Sequence, residues 1–117
     1  MKKILLLTTI VLGIFISGNV LAEGFASNTK IVRISPHDFG EVVLIYLESD
    51  VTYPSGCSYH TAVALKRDHP FFKETFDVAM TALVAQKNVW GWMHGGCYRE
   101  GTPGLGMPYV IRLDIIQ

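Results

Sequence analysis

The chain has 117 residues, with 10 Lys and Arg against 10 Asp and Glu, the size of about one small domain. A charge balance near zero excludes electrostatic recruitment to nucleic acid or to an anionic membrane surface. Half of the residues (50%) are hydrophobic, and part of that excess is concentrated at the start of the chain.

Met1, Lys2 and Lys3 give a short positive start, and residues 4–16 are almost unbroken aliphatic. Ser17, Gly18 and Asn19 then loosen the run before Val20, Leu21 and Ala22, a small-residue cleavage site. Residues 1–22 therefore read as an export signal peptide cut after Ala22. The run is too short for a membrane span, and no lipobox cysteine follows it. Cleavage removes Lys2 and Lys3, leaving 8 bases against 10 acids, a charge of about −2. Export places the remaining domain, 23–117, in the periplasm or outside the cell. There the only two cysteines, Cys57 and Cys97, are expected to form a disulfide. That bridge closes a loop of about 40 residues, worth roughly 4 kcal/mol of chain entropy.

Residues 23–29 are small and polar, a loose lead-in. Residues 30–35 alternate, with Ile31, Arg33 and Ser35 opposite Val32 and Ile34, as a strand with one buried face does. Pro36, His37, Asp38 and Gly40 are turn residues, so a hairpin to a second strand over 41–48 follows. Both faces of that strand are apolar, which suits a central position. Residues 49–58 form a loop pinned by Cys57, and 59–65 a third strand.

From 68 to 87 the period changes from two to 3.6. Phe72, Phe76, Ala79, Met80 and Leu83 fall on one helical stripe, expected to face the sheet. Asp68 and Pro70 suit the helix start. A fourth strand over 88–94 ends at Gly95, Gly96 and Cys97. A Gly- and Pro-rich loop follows, and a last strand covers 108–116. The order βββαββ in an antiparallel chain of this length predicts a mainly β domain with one helix. An OB-like five-stranded Greek-key barrel fits it, and an open antiparallel α+β sheet is the alternative.

Cys57, the Ala64-Leu65 pair, His69-Pro70, Ala82 and the Gly96-Cys97 pair carry a further likeness. In that spacing the segment 57–97 resembles a group of small, secreted, largely uncharacterised Gram-negative bacterial proteins. More distantly, the element order is similar to the B subunits of pentameric bacterial toxins of the cholera and subtilase types. That likeness implies an OB-fold, export, glycan binding and self-assembly, and it carries no glycan-binding motif residue by residue.

The chemistry-bearing residues point to binding rather than catalysis. His37, His60, His69 and His94 lack the tight pairing of a metal site, so neither metal nor cofactor is expected. No G-x-S-x-G elbow surrounds Ser55, Ser58 or Thr61, and the 101–106 glycines lack the Lys-Ser/Thr of a phosphate loop. Trp90 and Trp92 share one face of a strand. They are either core rings or platforms that stack on a sugar or a partner protein. With His94, Tyr98 and Arg99 they form the candidate ligand-binding patch. The expected function is that of a non-catalytic binding module for a glycan or protein ligand, with homo-oligomerisation open. The alternatives are a small periplasmic hydrolase or metal-dependent enzyme, and a structural or inhibitory envelope protein using a sheet edge.

Overall fold

The computed structural model describes residues 22–51 and 56–116; the expectations for 1–21 and for Ser55 lie outside them. The chain is mainly β with one helix. Strands β1 (Ala22–Gly24), β2 (Thr29–His37), β3 (Val42–Leu47), β4 (Ala62–Lys66), β5 (Asn88–Tyr98) and β6 (Met107–Ile116) form one sheet, and helix α1 (Phe72–Ala85) joins β4 to β5. No helix of the described residues is long and apolar enough to cross a membrane.

β2, β3 and β4 form an antiparallel meander. β5 is the hub: it pairs with β6 from Asn88 to Tyr98, with β2 at Val89 and Asn88, and with β1 from Trp92 to His94. The pairings run β5-β2-β3-β4-β6 and return to β5. Two of these links are short. β2 and β5 share two residue pairs, and β4 meets β6 at the single pair Ala64 and Tyr109. The latter pair is parallel, which corrects the expectation of a purely antiparallel chain. A helix and a strand intervene between β4 and β6, so the chain re-enters in the same direction.

Three boundaries also differ from the sequence expectation. Ala22, Glu23 and Gly24 form a strand, because their backbone pairs with β5 above Trp90. A Cβ on Gly24 would lie 2.5 Å from that indole, so only glycine fits the approach. β5 continues through Gly95 and Gly96 to Tyr98 by way of a register shift between His94 and Cys97, a bulge that absorbs the extra residues. Helix α1 begins at Phe72 rather than near Asp68. Pro70 disfavours helical geometry at His69, and the segment turns instead, with the Phe71 N–H donating to His69 Nδ1 at 3.0 Å.

Two apolar clusters hold the domain. Val43, Ile45 and Leu47 of β3 join Val63, Leu65 and Val89 in the larger one, closed on one side by Ala79 and Ala82 of α1. Val42 and Leu44, on the opposite face of β3, pack with Ala62, Ala64, Tyr98 and Met107. The expected helix face is met in part: Ala79 belongs to the larger core and Phe72, Phe76 and Leu83 pack against it, but Met80 does not. Thr75, Ala79 and Ala82 are the buried residues of α1, while Phe72, Phe76 and Leu83 are half-buried and Met80 is exposed. Small side chains let the helix lie close to the sheet, so the centre of its buried face falls on Thr75, Ala79 and Ala82, with the larger residues at the flank.

Candidate functional site

The β2–β3 connection is a tight turn in which three successive residues, Asp38, Phe39 and Gly40, have positive φ (53°, 57° and 87°). Glycine adopts that geometry freely and aspartate tolerates it, but a phenylalanine there is strained. Phe39 also buries nothing: its relative exposure is 108%.

The turn is clamped from the end of β5. The buried Tyr98 hydroxyl donates to Asp38 Oδ2 at 2.8 Å. Arg99 donates to the same carboxylate through Nη2 (2.7 Å) and Nε (3.4 Å), and its Nε lies 3.3 Å from the Tyr98 oxygen. The Tyr98 hydroxyl and then the Arg99 guanidinium hold the Asp38 carboxyl below the usual carboxylate range. Burial, followed by the Asp38 carboxylate, pushes the Tyr98 phenol up, so it stays protonated and donating at neutral pH. A planar guanidinium on a carboxylate fixes both position and orientation.

The disulfide fixes the other side of this loop. Cys57 and Cys97 are bonded, with a sequence separation of 40, joining the approach to β4 to the end of β5. Beside it, Ser58 N–H and Oγ both donate to the Glu100 carboxylate, and Tyr59 N–H donates to Gly106 O at 3.1 Å. Cys57, Cys97 and Glu100 are also the only metal-like grouping among the described residues. Their sulfurs are bonded to each other and offer no thiolate.

Between the clamped turn and β6 lies an open cleft of about 530 Å3. Asp38, Glu41 and Asp68 supply negative charge to its walls, Lys66 and Arg67 positive charge, and Tyr98 and Tyr109 ring surface. Lys66 Nζ sits 5.0 Å from the centroid of the Tyr109 ring, and Tyr98 meets Tyr109 edge-on at 6.4 Å.

The structure divides the patch expected from sequence into two groups. Tyr98 lines the cleft and Arg99 secures its rim. Trp90 is half-buried against the larger core, with its indole N–H donating to Phe25 O at 3.0 Å, and Trp92 meets it edge-on at 5.2 Å. His94 is exposed on β5, opposite Tyr109 of β6. Among the described residues no hydrogen bond, ion pair or ring contact joins either tryptophan to Tyr98 or Arg99. Sequence reasoning missed Glu41, Lys66, Arg67 and Tyr109. The charged run Lys66-Arg67-Asp68 at the end of a strand was the available signal. No protein-family model, curated protein or solved structure matches the chain.

Proposed function

We propose that the protein is an exported, disulfide-stapled binding module without chemistry of its own, built as a five-stranded OB-type Greek-key barrel, that holds a saccharide in the cleft beside Tyr98 and Tyr109. The circuit of pairings through β2 to β6, with a helix between the third and fourth of these strands, supports the barrel reading. OB-folds bind oligosaccharides and oligonucleotides on the face of their second and third strands, between the loops that join strands one to two and four to five. In this chain those loops are the turn at 38–41 and the segment 99–106.

The observation that carries the reading is that the Asp38, Tyr98 and Arg99 cluster locks these two loops together at the wall of a concave site. The cleft's charges are mixed and nearly balanced, which suits a neutral polyhydroxyl ligand better than a polyanion. Its tyrosine rings offer flat apolar surface to a sugar face. Export rests on the leader at 1–22, whose removal leaves Glu23 and Gly24 of β1 on the exported chain, and on the disulfide, a bond that persists in oxidising compartments.

An NMR titration of the 15N-labelled protein with a panel of neutral and acidic oligosaccharides tests this. Shifts should centre on Tyr98, Arg99 and Tyr109, and Tyr109→Ala should remove them without unfolding the protein. Shifts centred on Trp90 and Trp92, or no response to any saccharide, would overturn it.

A further inference from the structure

A row of large apolar residues spaced four apart, Phe72, Phe76, Met80 and Val84, winds along helix α1 from its flank, where Phe72 and Phe76 are half-buried and pack against the larger core, to its outer side. Phe72 and Phe76 stack at 5.6 Å. Met80 and Val84 are 38% and 78% exposed. Beside this ridge runs a groove of about 620 Å3 with Ile34, Pro36 and Val43 in its wall. The patch does not stop at the helix. Arg67 lies 4.8 Å from the Phe72 ring centroid and donates through Nε to Gly40 O. It thereby joins the ridge to the strained turn that presents Phe39. Strain kept in a residue that buries nothing in its own fold points to an external use, and contiguous exposed apolar surface marks an interaction site.

We infer that this surface is the interface of a two-fold dimer of the chain, in which α1 packs antiparallel on α1 of a second copy. Two features favour a second copy over another occupant. The first is shape: Arg67 touches both the Phe72 ring and Gly40 O, which sets the exposed apolar knob, Phe39, at the Phe72 end of the row. A two-fold axis near Phe76 sets Phe72 opposite the second copy's Met80 and carries Phe39 toward its Val84 end, so each copy supplies what the other lacks. This is the reciprocity an isologous interface requires.

The second feature is charge. Lys73 and Asp77 flank the ridge and line the groove, paired with each other at 3.3 Å and largely exposed. An antiparallel crossing brings each Lys73 toward the second copy's Asp77, so the ion pair on this face is complementary to its own two-fold image. The inference does not depend on the saccharide reading, because the ridge and the cleft share only Arg67.

Sedimentation equilibrium of the purified, disulfide-intact protein tests it. A monomer–dimer equilibrium in the micromolar range is expected. Met80→Glu and Val84→Glu, both at exposed positions, should each weaken it about tenfold or more while leaving the circular dichroism spectrum unchanged. Lys73→Asp should weaken association at low salt, and Lys73→Asp combined with Asp77→Lys should restore it, a rescue that an intrahelical role alone would not give. A protein that stays monomeric to millimolar concentration overturns the inference, whether or not its groove takes up a detergent monomer. So does an assembly that survives both glutamate substitutions.

Discussion

Phe39→Asn should make the folded protein more stable. A non-glycine L-residue in the left-handed region costs roughly 1–2 kcal/mol, and asparagine is among the few residues that visit it readily. Phe39 sits there at φ 57° and ψ 31°, and with its ring fully exposed the substitution forfeits no burial. The expected gain is therefore about 1 kcal/mol, a rise of roughly 4–8 °C in melting temperature for a domain of this size. Phe39→Gly relieves the same strain but adds freedom to the unfolded chain, worth about 0.4–1 kcal/mol, so its gain should be smaller. Urea unfolding at low micromolar concentration, where dimer dissociation contributes least, reads this directly. The midpoint should rise in the order Phe, Gly, Asn with an unchanged slope. If Phe39→Asn lowers the midpoint, the ring is supporting the fold and both the strain argument and the knob are wrong. A stabilised variant that associates less well would show a residue kept at a cost to stability for the sake of binding.

Three other outcomes follow from the same structure. Replacing Cys57 and Cys97 together by Ser should cost roughly 4 kcal/mol, as the loop length implies, measured as the loss of unfolding free energy in urea; a loss under about 1 kcal/mol would refute the staple. Phe76→Ala should cost only about 1–2 kcal/mol, since the ring is half-buried and full burial is worth about 3–5, while Ala79→Leu, at a position with no exposure, should cost about 1–3 by overpacking; a Phe76→Ala loss well above the Ala79→Leu loss would restore the helix face read from sequence. The Asp38 carboxyl titrates below its unfolded value, so its stabilising contribution is complete above the unfolded pKa of about 4 and is lost as pH falls through the lower folded value. The stability gap between the wild type and Asp38→Asn, followed in urea from pH 6 to pH 2, should narrow at the acid end, and a gap constant across that range would remove Asp38 from the clamp.

What the sequence made legible was whatever repeats along the chain. The alternation of Val43, Ile45 and Leu47 with Val42 and Leu44 marks β3, and the 3.6 period marks α1. Period does not say which stripe faces inward when two coexist. Phe72, Phe76, Ala79, Met80 and Leu83 form the one expected, and Thr75, Ala79 and Ala82, which share Ala79 with it, form another. The second is the more deeply buried because small residues permit a closer crossing, and Phe72, Phe76 and Leu83 of the first pack at its flank. β1 was hidden because Ala22, Glu23 and Gly24 have little strand propensity; backbone pairing with β5 and the fit of Gly24 over Trp90 make it a strand. The site was half legible. Tyr98 and Arg99 stood out as an aromatic and a guanidinium beside a cysteine. Asp38, to which both are bonded, lies 60 and 61 residues away, and no local pattern announces a contact over that distance.

The restraints in this molecule are distributed unevenly, and that bears on what the cleft is for. The disulfide, the Ser58 to Glu100 hydrogen bonds and the Asp38 to Arg99 ion pair all act on the segment between Cys97 and Gly106 or on the turn facing it. None of the residues that make them belongs to the larger core, which β2 to β6 and α1 build together. The exposed ion pair adds little to stability. Its effect is to hold two connecting segments in one arrangement, so that less ordering entropy is lost when a ligand arrives. Loops built only to join strands do not call for three independent restraints on a dozen residues. Loops that must present a fixed wall to a ligand do.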